Sequence, residues 1–132
     1  MSYDYLCPHC GAYLKVGDKV VLTIKKEKWS GGMVFLHPEL GNYTVENHPS
    51  FKVEKGELVV MYCPVCGHEL TSSKHPNLAM VILRDAEGKD YDIYFSQVVG
   101  ERSTFRMIGE HVEIHGEDAD NYVDFFNLSQ LI

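Results

Sequence analysis

Residues 7–11 read CPHCG and residues 63–67 read CPVCG, and these two turns contain all four cysteines of the chain. Proline presets the backbone at the first turn position, and glycine tolerates a left-handed backbone that leaves room for N–H groups beside the sulfurs. Two such turns facing each other complete four thiolate ligands around one tetrahedral metal ion, with no open position. We therefore predict one structural metal site with the ligands Cys7, Cys10, Cys63 and Cys66.

The paired C-P-x-C-G turns resemble the knuckles of zinc ribbon proteins, and they resemble those of rubredoxins equally. The match covers about ten of the 132 residues and is specific for the metal site. In both families the knuckles usually lie closer together, whereas 52 residues separate Cys10 from Cys63 here. The resemblance implies one bound zinc ion, with iron as the alternative because both metals accept four sulfurs. The residues between the knuckles are then a β-rich insertion.

Two other uses of the cysteines remain open at this point. Disulfides within each knuckle would close very short loops, and the N-terminus MSYDYLCPHC lacks the pattern of a secretory signal. A thioredoxin-like redox pair normally opens a helix after a strand, and the sequence shows no such unit. The glycine after each pair favours the metal site, and four reduced thiolates lead us to expect a cytoplasmic protein.

Short apolar runs alternate with Gly, Pro and Asn breaks along most of the chain, which is typical of β-proteins. Before residue 75, strands are predicted at 19–27, 33–37, 43–46, 51–54 and 57–62, with a turn at 30–32. After it, an antiparallel meander of four strands is predicted at 78–85, 90–98, 103–108 and 111–115. Asp118 is then predicted to cap a short C-terminal helix whose apolar side carries Tyr122, Phe125, Phe126 and Leu128.

The predicted fold is therefore mostly β and has two parts. Residues 1–75 are a zinc ribbon-like four-cysteine module with inserted strands, and residues 76–132 are an acidic antiparallel sheet with a short C-terminal helix. The first part holds eight basic and eight acidic residues, whereas the second holds four and eleven and so carries the whole net charge of −7. This charge favours a basic protein partner and opposes binding to phosphate backbones. No apolar run approaches the roughly 20 residues that cross a bilayer.

Weaker patterns suggest further sites. The one basic cluster, which would serve nucleic-acid binding, is Lys25, Lys26 and Lys28 beside Trp29. His9 lies within the first knuckle and His68 follows the second, where we expect them to shape a docking surface or tune the sulfurs. One strand face carries His111, Glu113 and His115; its two histidines lie about 13 Å apart by strand rise, too far to share one metal. We expect that face to be solvated.

No catalytic constellation emerges from the sequence. Hydroxyl groups are available at Ser96, Ser103 and Thr104, but they lack the turn that positions a nucleophile. We therefore predict a non-catalytic, metal-stabilised binding or accessory module, a small subunit or adaptor that meets a partner protein. The acidic half and the aromatic C-terminal tail would make that contact. The alternatives are a rubredoxin-like iron electron-transfer protein and a nucleic-acid-binding zinc ribbon.

Overall fold

The computed structural model describes residues 3–27, 30–37, 45–47, 54–73, 75–99, 101–108 and 111–118. Regular structure in these ranges consists of strands alone. In chain order they are β1 (Asp4–Leu6), β2 (Lys15–Val16), β3 (Lys19–Glu27), β4 (Ser30–Leu36), β5 (Val45–Asn47), β6 (Val60–Tyr62), β7 (Leu78–Arg84), β8 (Asp90–Ser96), β9 (Thr104–Ile108) and β10 (His111–His115).

The strands form two antiparallel sheets. The sheet with the order β1-β7-β8-β9-β10 is called the meander sheet here, because β7 to β10 follow one another along the chain. The other, the insert sheet, has the order β2-β3-β4-β5, and β6 pairs with the far part of β3. The strand that leads into the first knuckle, β1, belongs to the meander sheet through its pairing with β7.

The main core lies between the two sheets, and strand alternation explains it. Along β3, Val20, Leu22 and Ile24 are buried, while the residues between them point to the opposite face. The meander sheet contributes Val81 and Ile93, which are directly paired neighbours on β7 and β8, to the same buried cluster. Burial of apolar surface is worth about 25 cal/mol per Å², so this shared core is the main force that holds the sheets together.

A second buried cluster lies on the other face of the meander sheet. It consists of Leu78, Tyr94, Phe105 and Val112, with Met80 and Met107 packed against it. Because the two clusters use alternate residues of β7, this strand reads as a nearly continuous apolar run, LAMVILR. This explains why 78–84 is one of the clearest strand signals in the sequence.

Gln97 is a polar residue buried beside the core, with 1% of its surface exposed. Its Oε1 accepts a hydrogen bond from the backbone N–H of Met61 on β6 at 2.8 Å. Its amide nitrogen donates to Thr71 Oγ1 and to the Pro76 carbonyl, at 3.2 and 3.3 Å. Gln97 therefore ties the insert sheet to the segment that enters the meander.

The predicted fold class is wrong and is corrected to all-β, with two antiparallel sheets and no helix in the described ranges. The helix expected after Asp118 falls on residues 119–132, which lie outside the described residues. Asp118 itself accepts a hydrogen bond from the backbone N–H of Arg102 at 2.8 Å, so its carboxylate serves the loop before β9. The division into domains at residue 75 stays a prediction.

Some of the strand predictions are confirmed, one turn prediction is wrong, and some fall outside the described residues. The four strands after residue 77 are present and pair in the expected meander. The turn expected at 30–32 is wrong, because Ser30 and Gly31 pair with Glu27 and Lys25 as the start of β4. Residues 45 and 46 of the predicted strand at 43–46 lie in β5, whereas residues 43–44, and residues 51–53 of the next predicted strand, lie outside the described residues. No described segment forms a helix long and apolar enough to cross a membrane.

Candidate metal centre

The first knuckle is the turn of a small hairpin. β1 leads into Cys7, and the chain returns so that Tyr13 bridges Leu6 in antiparallel fashion. The N–H of Gly11 donates to the Cys7 carbonyl at 3.0 Å, and Gly11 has a φ of 74°. A side chain at that φ would be strained, which explains the glycine after the second cysteine. The turn also brings the N–H of His9 to 3.3 Å from the Cys7 sulfur.

The second knuckle repeats this construction. β6 leads into Cys63, the N–H of Gly67 donates to the Cys63 carbonyl at 2.9 Å, and Gly67 has a φ of 75°. Two backbone N–H groups, from Val65 and Cys66, approach the Cys63 sulfur at 3.3 and 3.5 Å. Such donors stabilise negative charge on a thiolate, as the second layer of a metal site does.

The two turns bring the four sulfurs together. All four Sγ atoms lie within 4.8 Å of one another, and the Cys7–Cys66 and Cys10–Cys63 pairs are both 3.8 Å apart. Tetrahedral coordination with metal–sulfur bonds of about 2.3 Å separates the sulfurs by about 3.8 Å. Cys7 and Cys63 are buried, whereas Cys10 is exposed and Cys66 lies towards the surface. The four sequence-predicted residues therefore form a cluster that can hold one metal ion.

The environment of the sulfurs differs between the knuckles. Burial raises the pKa of the Cys7 thiol to about 12, against the opposing hydrogen bonds from backbone N–H groups. Burial also acts to raise the pKa of Cys63, but the N–H groups of Cys66 and Val65 and the thiols of Cys7 and Cys66 outweigh it and lower the pKa to about 7. A cation at the centre would favour the thiolate form of all four, which is the chemistry that soft divalent metals require.

His9 and His68 stack on each other beside the sulfurs. Their ring centroids lie 4.5 Å apart with an interplanar angle of 18°, and both residues are exposed. The sequence placed His9 in the first knuckle and His68 just after the second, but it could not show that they meet, because they are separated by more than fifty residues. The stack therefore joins the two knuckles at the surface of the protein.

Arg106, which the sequence analysis did not single out, pairs with the strand face that carries Glu113 and His115. Glu113 Oε1 lies 2.6 Å from His115 Nε2, and the other carboxylate oxygen of Glu113 pairs with Arg106 on β9. Arg106 stands directly opposite Glu113 in the strand register, and its guanidinium also lies 5.1 Å from the centre of the Tyr91 ring. His111 lies at the start of β10, and its side chain is outside what the structure describes. The described residues of this face, Arg106, Glu113 and His115, form a network of hydrogen bonds and ion pairs.

Glu113→Gln is expected to destabilise the fold by about 0.5–1 kcal/mol near neutral pH, since the pair is partly exposed. Burial acts to raise the pKa of Glu113, but the His115 and Arg106 contacts outweigh it and hold the pKa below its ordinary value. The contribution of the carboxylate is therefore present above the ordinary glutamate range and is lost as the pH falls through the lowered pKa. Denaturant unfolding at several pH values should show the two proteins converging in acid.

Glu87→Gln is the matched control for this measurement, because Glu87 is exposed on the β7–β8 turn. Its stability should equal that of the natural chain at every pH. A difference between Glu113→Gln and the natural chain that persists unchanged in acid would show that the carboxylate charge is not responsible.

The remaining predicted residues do not gather into one site. Lys25 is exposed on β3 with its Nζ 4.6 Å from the centre of the Tyr62 ring. Lys28 and Trp29 lie outside the described residues, and the side chain of Lys26 is not described. Of the three hydroxyl residues, Ser96 donates a hydrogen bond to Glu101, and Ser103 and Thr104 are buried. The C-terminal aromatic tail falls wholly outside the described ranges.

A comparison of the chain with models of protein families, with curated proteins and with solved structures finds no match. The interpretation of the site therefore depends on its own geometry: four sulfurs from two knuckles, at separations that suit a single tetrahedral ion.

Proposed function

We propose that this chain is a metal-stabilised binding or accessory module, not an enzyme, and that its four cysteines hold one structural zinc ion. The observation that carries the proposal is the clustering of Cys7, Cys10, Cys63 and Cys66 within 4.8 Å. Four thiolates fill a tetrahedral coordination shell and leave no position for water or a substrate. Zinc supplies folding free energy at such a site, because it joins chain segments that are far apart in sequence.

The position of the knuckles supports a structural role. Cys7 continues from a strand of the meander sheet, and Cys63 continues from a strand of the insert sheet. An ion bound between them would link the two sheets at one end of the shared core. The charge of four thiolates and one divalent ion would add about −2 to the chain's formal −7.

The proposed partner is a protein with a basic surface, met by the acidic second half of the chain in the cytoplasm. Exposed carboxylates of this half include Glu87, Asp92 and Glu117. Their field would steer a basic partner into contact, and opposite charges in that contact would give it specificity. The four cysteines are not in disulfides, which is compatible with a reducing compartment. In this role the chain is a small subunit or adaptor of a larger assembly.

Charge reversal tests the partner. Affinity purification of the holo protein from its source cells should recover a second protein in fixed ratio. The triple variant Glu87→Lys, Asp92→Lys and Glu117→Lys should weaken that complex about tenfold or more. The control has the same change in net charge: Asp18→Lys, Glu54→Lys and Glu69→Lys, all exposed in the first part of the chain.

Two results would contradict the adaptor role. One is recovery of this chain without any other protein, as seen in a native mass spectrum. The other is equal weakening by the two triple variants, which would mean that net charge matters and the acidic half does not.

One observation favours a second candidate, one-electron transfer through iron at the same cysteines. Cys10 lies at the surface, and Val65 at the neighbouring knuckle tip is 69% exposed, so a redox partner could approach the sulfurs closely. Elemental analysis separates the two candidates. We expect one zinc per chain and a colourless protein, whereas iron and a red oxidised form would establish the electron carrier.

A further inference from the structure

The insert sheet has an outer face that points away from the shared core. Since Val20, Leu22 and Ile24 of β3 are buried, the alternate residues Val21, Thr23 and Lys25 lie on the other side. The strand register places Phe35 opposite Val21, Met33 opposite Thr23, and Tyr62 opposite Thr23 on the other flank. Val16 on β2 continues the same face at one end.

This outer face is apolar and accessible. Val16 is 66% exposed, Met33 50% and Phe35 38%, and Val21, Val60 and Tyr62 are partly exposed between them. These residues adjoin one another through the register and form one contiguous apolar strip. A contiguous apolar patch on a sheet face is a feature of interaction surfaces, unlike apolar residues exposed singly.

The charges that the described side chains place on this face are few and of both signs. Lys19 pairs with Glu46 at 3.5 Å, and the Nζ of Lys25 lies over the Tyr62 ring. The surplus of acidic residues, which gives the net charge of −7, lies instead in residues 76–132. Two copies that met through this face would bring almost no like charge into contact.

We propose that the outer face of the insert sheet is a self-association surface and that its occupant is a second copy of this chain. A twofold, face-to-face pairing would bury the apolar strip of each copy against that of the other. The meander sheets, with their acidic residues, would then lie on the far sides of the dimer, where their repulsion is smallest. A nucleic acid fits this face less well, because the chain as a whole is acidic and Lys19 is paired with Glu46.

The size of the face predicts a reversible dimer. The five strands of the insert sheet hold 24 residues, and each covers about 16 Å² (about 3.3 Å of rise by 4.8 Å of strand spacing), which gives roughly 380 Å². A standard stable interface buries about 800 Å² on each partner. We therefore expect the dimer to dissociate on dilution through the micromolar range.

Sedimentation velocity of the full holo chain at about 1 to 500 μM tests this surface. The mass of the natural chain should rise with concentration from 15.0 kDa towards twice that value. Phe35→Glu places a charge at the centre of the strip and should raise the dissociation constant at least tenfold (about 1.4 kcal/mol). Ile114→Glu is the matched control, because Ile114 is apolar and about as exposed as Phe35, 43% against 38%, but lies on β10 of the meander sheet. It should associate as the natural chain does.

Met33→Lys is a second variant with the same expected effect, and circular dichroism and metal content verify that each variant is folded. Salt should strengthen the natural dimer, because it screens the repulsion between acidic copies. A natural chain that stays at 15.0 kDa throughout would overturn the proposal, as would undiminished association of folded Phe35→Glu or Met33→Lys. So would binding of a single-stranded oligonucleotide that Phe35→Glu abolishes and salt weakens, since the face would then serve nucleic acid. None of these outcomes bears on the metal centre.

Discussion

Cys63→Ser is expected to leave the chain largely unfolded and without bound metal. Cys63 is the buried ligand at which two backbone N–H groups converge, and serine offers no thiolate at that point. A structural zinc site such as the one we propose contributes on the order of 10 kcal/mol, which is comparable to the whole stability of an ordinary domain. Circular dichroism should show loss of the β signal, and elemental analysis should show less than one metal per chain.

Chelation tests the same point without a substitution. A strong zinc chelator should unfold the natural chain, and added zinc should restore it. Val65→Ser serves as the control, because Val65 lies in the same knuckle, is exposed and contributes only its backbone N–H to the site. It should keep its metal and its fold.

The number of reactive thiols distinguishes the proposed metal site from disulfide bonds between the cysteines. Unfolding in the presence of a chelator and without a reductant should expose four reactive thiols per chain, whereas disulfides would expose none.

A Cys63→Ser chain that keeps the native circular dichroism spectrum would show that the cluster does not hold the fold together.

Gln97→Leu is expected to destabilise the fold by about 3 kcal/mol, since each buried polar group left without a partner costs about 1–3 kcal/mol. Leucine has a similar volume, so the loss comes from the hydrogen bonds rather than from a cavity. The Met61 N–H would lose its acceptor, and the Pro76 carbonyl would lose the Gln97 amide donor. Urea unfolding of the holo protein at fixed metal concentration measures the change.

Thr71→Val provides the graded comparison. It removes one acceptor of the Gln97 amide and leaves the bond to Met61 intact, so its cost should be about 1 kcal/mol. Equal stability of Gln97→Leu and the natural chain would show that this residue does not join the two sheets.

Much of the site could be anticipated because a knuckle is a local structure. Proline, two cysteines and glycine within five residues specify a tight turn, and the φ values of Gly11 and Gly67 fulfil that specification. The strands of the meander are equally local, since each follows its neighbour after a short turn. The wrong prediction of a turn at 30–32 marks the limit of this approach. Ser-Gly-Gly favours a turn by its composition, but Gly31 lies in β4 and pairs with Lys25 of β3.

Amino-acid order along the chain was enough to place the cysteine turns, the alternation of the strands and the concentration of acidic residues in the second half. Folding in three dimensions was needed to join β1 to β7, to stack His9 on His68 and to bury Gln97 between segments from both sheets. The first group depends on contacts between near neighbours, whose geometry follows from residue type. The second depends largely on which distant segments share a core, and that is settled by the burial of the whole apolar surface at once.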